Sequence, residues 1–188
     1  MRAHSSVLVV SDSHGHVAAL MAVLKWAYDL NLDAALFLGD GYEDLALASA
    51  RTGFSLPWHA VRGNGDFTSS VPDYLAVEFS GRKVFLTHGQ HYRVREGCKT
   101  LVTTAGYAGA EAALFGHTHV PYCETVNGIF LLNPGSISRP RGGVDCTFAV
   151  LECPESGSLA ARFFKLVNRG GETTVEALNH HDQRRIIR

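Results

Sequence analysis

Six short apolar runs in this chain each end in a polar segment that carries glycine, serine or both. VLVV is followed by SDSH, LFL by GDG, HAVR by GNGD, VFL by THG, LF by GHTH and IFLL by NPGS. An apolar run that stops at turn-forming residues is typical of a buried strand. Ligands of open α/β sheets gather outside the carboxyl ends of the strands. We therefore expect the six loops to converge on one crevice.

The strand signals alternate with helix signals only in the first half of the chain. Apolar residues at helical spacing predict a helix that starts near Val17, a weaker one over Glu43–Ala50 and a third over Arg95–Ala108. YLAVEFSGRKVFLTHG and the runs around Asn127-Gly128 predict two β-hairpins, and CTFAVLE and LAARFFKLV predict further strands. A βαβα half followed by a strand-rich half packs best as two sheets with helices outside.

Composition bounds the class of protein. The chain has 188 residues, 46% hydrophobic and 19% charged, with a formal net charge of -1. These values are typical of a folded globular protein with one large core, and no segment suits a signal peptide or a membrane span. We expect a cytoplasmic protein without a membrane partner. The lack of a basic stripe outside the C-terminal end disfavours nucleic acid as a partner.

One domain over residues 1–188 is expected, because no repeat or linker divides the chain. Residues from about 171, which end in NHHDQRRIIR, read as a frayed basic tail. The four cysteines are far apart and form no CxxC pair, which predicts buried reduced thiols rather than zinc ligands or disulfides. They are Cys98, Cys123, Cys146 and Cys153.

The polar loops are rich in metal-ligand residue types. Imidazole nitrogens mixed with hard oxygen ligands, without thiolate, suit Mn, Fe, Zn, Ni or Co. Seven ligands exceed the need of one ion, and a carboxylate such as Asp40 can bridge two ions about 3.5–4 Å apart, an arrangement that supports in-line displacement at phosphorus. Alone, Asp12 could cap a helix and Asp40 could serve a turn. The seven are Asp12, His14, Asp40, Asn64, His88, His117 and His119.

The motifs DSH, GD, GNGD, THG and GHTH, in this order, resemble those of the calcineurin-like metallophosphoesterase superfamily. With NPGS at Asn133–Ser136, the chain is most similar to its small bacterial and archaeal phosphodiesterase branch. The resemblance implies an α/β fold, a four-layer αββα sandwich of two mixed β-sheets flanked by helices. It also implies a dinuclear-metal-dependent phosphodiesterase in which a hydroxide between the ions attacks a small phosphodiester. Mn²⁺ is the first choice of metal.

The resemblance assigns the predicted catalytic and metal-binding residues to two ions. Asp12, His14 and His119 would hold one ion, and Asn64, His88 and His117 the other, with Asp40 bridging them. The spacing of His117 and His119 fits one ligand for each ion, because residues i and i+2 of an extended segment lie roughly 6–7 Å apart on one side. Thr118 should then point away.

Substrate contacts are expected beside the metals. Backbone or hydroxyl donors of NPGS and two following arginines could meet a substrate phosphate, although NPGS also reads as a turn that leaves a strand. The candidates are Asn64, Gly135, Ser136, Arg139 and Arg141. Gly65 stands where related phosphatases carry a histidine that protonates the leaving group, so this chain lacks that side chain. Gln90, in THGQHY, has no assigned role.

The motifs leave three further functions open. The same fold serves as a non-catalytic interaction scaffold in eukaryotic membrane trafficking, so a fold match alone does not establish catalysis. The scaffold tends to lose the ligand set that is complete here. The chain could also be a phosphomonoesterase or a nuclease, and a homo-oligomer is compatible with the sequence.

Overall fold

The structure, a computed structural model, describes residues 4–68, 70–179, 182–183 and 186. The strands of this part of the chain are β1 His4–Val10, β2 Ala34–Phe37, β3 Trp58–Ala60, β4 Tyr74–Phe79, β5 Arg82–Thr87, β6 Ala112–Leu114, β7 Tyr122–Val126, β8 Ile129–Asn133, β9 Thr147–Pro154, β10 Ala160–Arg169 and β11 Glu172–Ala177. Its α-helices are α1 Val17–Ala27, α2 Tyr42–Thr52 and α3 Lys99–Tyr107. A 3₁₀ turn covers Gln90–Tyr92.

The strands form two mixed sheets. The first sheet has the order β11-β10-β9-β1-β2-β3, and the second has the order β4-β5-β6-β8-β7. In the first, β1 pairs in parallel with β2 and antiparallel with β9. In the second, β6 pairs in parallel with both β5 and β8. The carboxyl ends of these parallel strands lead directly into the polar loops.

The two sheets pack face to face, with helices on both outer faces. Val7 and Val9 of β1 lie in the core between the sheets, with Leu86 and Leu114 of the second sheet. Leu8 packs on the opposite face, in the core that the first sheet shares with α1 and α2. This alternation follows from the two-residue period of a strand. With α3 against the second sheet, the four-layer αββα sandwich is confirmed.

Both predicted hairpins are present in the second sheet. The β4-β5 turn has Ser80 and Gly81 at φ 50° and 77°, and the β7-β8 turn has Asn127 and Gly128 at φ 50° and 81°. Two consecutive positive φ angles define a type I′ turn, whose twist matches that of the paired strands.

Two boundaries differ from the prediction. The third helix begins at Lys99 rather than Arg95, because Gly97 adopts φ 135°, which no right-handed helix contains. The predicted frayed tail from about residue 171 is wrong over its first part, because Glu172–Ala177 pairs with β10 as β11. The arginines at the end of the tail lie outside the described residues.

Two apolar side chains beyond β11 are also buried in the fold. Leu178 and Ile186 are buried in the core between the two sheets. Burial of these two apolar side chains stabilises the position of the segment. Among the helices of the described residues, none has the length and apolar character needed to span a membrane.

The cysteines are free thiols, as predicted, but they are not equally buried. Cys123 and Cys153 lie in the core between the sheets, whereas Cys98 and Cys146 are half-buried. Burial raises the pKa of the Cys123 thiol to about 11 and that of the Cys153 thiol to about 12. Both thiols therefore stay protonated at neutral pH.

We expect alkylation to separate these two classes of cysteine. The thiolate is the reactive form, so a raised pKa and burial together slow the reaction. At pH 8, iodoacetamide should label Cys98 and Cys146 in the folded protein, and Cys123 and Cys153 only after unfolding. Peptide mass spectrometry measures the labelling at each site. Equal rates at all four cysteines in the native protein would contradict the expectation.

Candidate metal centre

The loops after β1, β2 and β6 bring four predicted ligands together at one end of the sandwich. Their ligand atoms all lie within 4.8 Å of one another. The Nε2 atom of His119 is 3.1 Å from Asp12 Oδ1 and 3.2 Å from His14 Nε2. The four residues are Asp12, His14, Asp40 and His119.

Asp40 connects this cluster to two further predicted ligands. Its Oδ2 atom lies 3.7 Å from His14 Nε2 and 3.5 Å from His88 Nε2. The same Nε2 atom of His88 is 3.3 Å from His117 Nδ1. Asp40 Oδ2 therefore lies between His14 and His88, which belong to the two predicted ligand sets.

Asn64 lies in the GNGD loop, which contacts Asp40 closely, but the Asn64 side chain is exposed. The Gly65 amide donates a 2.6 Å hydrogen bond to Asp40 Oδ1. At Gly63, a Cβ atom would stand 2.1 Å from Asp40 Oδ1, so only glycine fits there. The role of Asn64 as a ligand stays a prediction.

The predicted ligands occupy strained backbone positions. Eight non-glycine residues in the described part of the chain have positive φ, and five belong to the predicted ligand set. Each such position costs about 1–3 kcal/mol and persists only where the surrounding fold enforces it. The five are Asp12 (57°), His14 (47°), Asp40 (58°), His117 (66°) and His119 (60°).

The GHTH segment is not extended, so the predicted geometry of this segment is wrong. The positive φ angles of His117 and His119 turn the backbone at both residues. The two rings still contact different partners: His117 contacts His88, and His119 contacts Asp12 and His14. Thr118 points away as predicted, since its hydroxyl accepts a 3.1 Å hydrogen bond from the Asn133 side chain.

Backbone carbonyls orient two of the imidazoles. The Nδ1–H of His88 donates to the Leu38 carbonyl at 2.6 Å, and that of His119 donates to the Arg139 carbonyl at 2.7 Å. When these imidazoles are neutral, this tautomer leaves the lone pair of each Nε2 directed into the cluster. Such outer hydrogen bonds fix the ring orientation of metal-ligating histidines.

Two carboxylates outside the ligand set hold the loops in place. Asp66 accepts hydrogen bonds at 2.7–2.9 Å from four backbone amides, and so ties the GNGD loop to the loop after β2. The donors are Asp40, Gly41, Tyr42 and Gly63. Asp44 of α2 accepts from the Ser13 hydroxyl and the Gly15 amide. The role of Asp44 was not predictable from the sequence, because its place in the first turn of a helix suggests only a favourable helix dipole contact.

Proton affinities in the cluster follow from burial and charge. Burial alone would raise the pKa of Asp40, but the hydrogen bond and charge of His88, with the Gly65 amide, lower it to about 2. Burial and the neighbouring His88 lower the pKa of His117 to about 4. Burial also lowers the pKa of His14. His14 and His117 are therefore neutral at pH 7, the state in which imidazole binds a metal.

His88 differs, because its pKa is raised. Burial acts to lower this pKa, but it is outweighed by the hydrogen bond to Asp40 and the negative charge of Asp12. The two carboxylates thus favour positive charge at this point of the cluster, which a divalent cation also supplies.

The donor atoms fit a metal ion. Asp12 Oδ1 is buried and accepts no hydrogen bond from the described residues. It faces the lone pair of His119 Nε2 at 3.1 Å and lies 3.7 Å from His14 Nε2. Lone pairs directed at one another at such distances are unfavourable unless a cation lies among them. Carboxylate oxygen with imidazole nitrogen suits a divalent transition metal.

The polar groups of NPGS form hydrogen bonds within the protein. The Ser136 hydroxyl is fully buried and donates to the Asp12 carbonyl at 2.8 Å, and the Ser138 hydroxyl does the same at 2.9 Å. The Gly135 amide donates to the Asn133 side chain. The Ser136 hydroxyl thus positions the loop of Asp12, and the Gly135 amide is bonded within NPGS. The substrate-binding role of Gly135 and Ser136 stays a prediction.

The predicted arginines lie at the surface. Arg139 is exposed and lines a cavity of about 270 Å³ that also reaches His14 and Asp40. Arg141 is exposed as well, and its backbone amide donates to the His119 carbonyl. Arg95, which the sequence analysis treated only as a helix residue, donates to the His117 carbonyl at 3.3 Å.

Gln90 remains without an assigned role. Its side-chain oxygen is buried and has no hydrogen-bond partner among the described residues.

The sequence profile of the calcineurin-like phosphoesterase superfamily domain matches residues 6–156. The chain belongs to this superfamily. Among superfamily proteins, the probable metallophosphoesterase YsnB of Bacillus subtilis is 29% identical over 159 residues, which cover 85% of the chain and 90% of YsnB. The phosphodiesterase YfcE of Escherichia coli is 28% identical over 167 residues, covering 78% of the chain and 86% of YfcE.

A solved superfamily structure agrees with the fold. The crystal structure of a predicted phosphoesterase from Streptococcus pneumoniae has a TM-score of 0.75 and 28% sequence identity to the chain. The match covers 95% of this chain and 100% of the other. The two-sheet α/β fold of the calcineurin-like superfamily thus extends over nearly the whole chain.

Proposed function

We propose that the protein is a dinuclear-metal-dependent phosphodiesterase that acts on a small phosphodiester, with Mn²⁺ as its preferred ion. The observation that carries the proposal is the position of Asp40 Oδ2 between His14 and His88, at 3.7 Å and 3.5 Å. When bound, two divalent ions would lower the pKa of a water and neutralise charge that develops on the phosphoryl oxygens. The phosphodiesterase YfcE supports the activity class.

The ligand sets follow the contacts of the chain. Asp12, His14 and His119 are assigned to one ion, because His119 Nε2 lies 3.1 Å from Asp12 Oδ1 and 3.2 Å from His14 Nε2. His88 and His117 are assigned to the other ion, because His88 Nε2 lies 3.3 Å from His117 Nδ1. Asn64 is assigned as the third ligand of this ion. Asp40 is assigned to both.

Substrate selection rests on the cavity beside the cluster. Arg139 places a positive charge on its wall, where it would attract the phosphodiester anion. The volume of about 270 Å³ suits a small ligand rather than a polymer. Because Gly65 offers no side chain, we infer that no side chain at this position protonates the leaving oxygen.

Without a side chain that protonates the leaving oxygen, the rate of hydrolysis should depend on the acidity of the leaving group. A general acid contributes about 10²–10⁴-fold to a step that needs one, so poor leaving groups should be hydrolysed slowly. We expect a steep fall in kcat/KM across a series of aryl phosphodiesters of rising phenol pKa, measured with added Mn²⁺. Chelator-treated protein should be inactive, and Mn²⁺ should restore activity.

The outcomes distinguish the phosphodiesterase from the interaction scaffold. A flat dependence on the leaving group would show that another group acts as the acid and would contradict the inference. If the protein binds two equivalents of metal and yet hydrolyses no ester with Mn²⁺, Fe²⁺, Zn²⁺, Ni²⁺ or Co²⁺, the proposed activity is wrong. The scaffold function would then be favoured.

A further inference from the structure

Phe67 is almost completely exposed beside the candidate metal centre. Its side chain is 99% accessible, although it follows GNGD directly and is three residues from Asn64. A single exposed apolar residue is common on protein surfaces. Phe67 differs from such a residue, because hydrogen bonds hold the backbone on both sides of it and the residue lines the cavity.

Hydrogen bonds hold the backbone around Phe67. On one side, the Asp66 carboxylate accepts four backbone amides. On the other, the Arg62 guanidinium donates to the Thr68 carbonyl at 3.1 Å. Arg62 is itself held by Asp73, with Nε to Oδ1 at 2.6 Å and Nη2 to Oδ2 at 3.1 Å. Because the backbone is already held on both sides, it loses little freedom when a ligand covers the ring, which favours binding.

The cavity places this ring close to the ligand cluster. Phe67 and Tyr42 line the same space as His14, Asp40 and Arg139. A phosphate held near His14 and Asp40 would therefore have aromatic surface within the reach of its own substituent. Aliphatic groups gain little from an exposed ring face, whereas planar aromatic groups stack on it.

We propose that Phe67, with Tyr42, forms an aromatic shelf that selects phosphoesters bearing a planar aromatic group, such as a nucleobase. The inference rests on the proposed function, because it assigns the phosphate to the adjacent cluster. Loss of a base-stacking side chain costs about 5- to 150-fold in affinity. Phe67 is thus a specificity-determining residue rather than a metal ligand.

Calorimetric binding to Mn²⁺-loaded protein tests the shelf with two ligand pairs. Adenosine 5′-monophosphate is compared with ribose 5-phosphate, and phenyl phosphate with methyl phosphate, so that each pair differs in the ring. We expect the ring to tighten wild-type binding by about 5- to 150-fold. A gain in both pairs means that the shelf accepts any aryl group, and a gain in the nucleotide pair alone identifies a nucleobase site.

Substitutions then test whether Phe67 is responsible for the tighter binding of ligands that carry a ring. Phe67→Ala should remove most of the preference for the ring and leave binding of ribose 5-phosphate unchanged, while Phe67→Trp should retain the preference. Tyr107→Ala is the matched control, because Tyr107 is 88% exposed on α3 and does not line the cavity. It should bind all four ligands as the wild type does.

Three results would overturn the shelf: no gain from the ring in wild-type protein, equal weakening of both members of a pair in Phe67→Ala, or loss of the preference in Tyr107→Ala. Turnover of methyl 4-nitrophenyl phosphate distinguishes this failure from that of the proposed function. If the metal-loaded protein hydrolyses this ester but the ring gives no gain, the phosphodiesterase proposal stands and the shelf is wrong. If it hydrolyses no ester, the proposed function fails first.

Discussion

Asp40→Ala is expected to lower kcat/KM for an aryl phosphodiester by more than about 100-fold and to reduce the metal content of the purified protein. Loss of a group that merely orients a metal ligand costs about 10–100-fold. Asp40 lies closer to the chemistry, since its Oδ2 atom is 3.7 Å from His14 Nε2 and 3.5 Å from His88 Nε2. Its removal should therefore weaken both ion sites. Steady-state kinetics and elemental analysis provide the two measurements.

Asp29→Asn is the matched control for this substitution. Asp29 is an exposed carboxylate just beyond α1, and it does not belong to the clustered ligand set. The control should keep wild-type activity and metal content. If Asp40→Ala stays folded, binds two equivalents of Mn²⁺ and turns over normally, the bridging role of Asp40 is wrong.

The strand ends explain why much of the site could be predicted. VLVV and LFL are apolar throughout because β1 and β2 are covered on both faces, so each strand ends visibly where polar residues begin. Parallel pairing then places the ends of β1 and β2 side by side in the first sheet, and those of β5 and β6 side by side in the second. The loops of neighbouring strands meet because the strands run in the same direction, and the sequence pattern predicts this direction.

Contacts between distant residues were not predictable in the same way. The Ser136 hydroxyl donates to the carbonyl of Asp12, 124 positions away, and nothing in NPGS distinguishes this role from a substrate contact. The positive φ angles of His117 and His119 also depend on the tertiary fold, because an isolated chain avoids that strain.

The end of the chain shows a related limit. β11 reads as polar and was assigned to a tail, yet it pairs with the long strand β10 over six residues. Edge strands need not show an apolar pattern, because only one side of their backbone is paired and they contribute little to the core. Gly170-Gly171, with φ 63° and 92°, is the turn signal that could have indicated the hairpin.

Gly63→Ala is expected to disrupt the site through sterics alone, without removing any ligand. A Cβ atom at this position would stand 2.1 Å from Asp40 Oδ1 and 2.6 Å from the Asp40 backbone nitrogen, far inside contact distance. Because the nearest atoms include backbone, the loops have to separate, which costs about 1–3 kcal/mol of unfolding free energy. Displacement of Asp40 by about 1 Å should also lower turnover by about 100-fold.

Gly106→Ala separates this steric effect from the general effect of replacing glycine. Gly106 lies in α3 with no atom within 4 Å of a Cβ, so alanine there should raise the free energy of unfolding by about 0.5–1 kcal/mol and leave activity unchanged. Denaturant unfolding and kcat/KM of both variants are the measurements. In the structure, the methyl group that Gly63→Ala adds would overlap Asp40. Wild-type turnover of this variant would therefore mean that the GNGD loop does not contact Asp40 as closely as the structure shows.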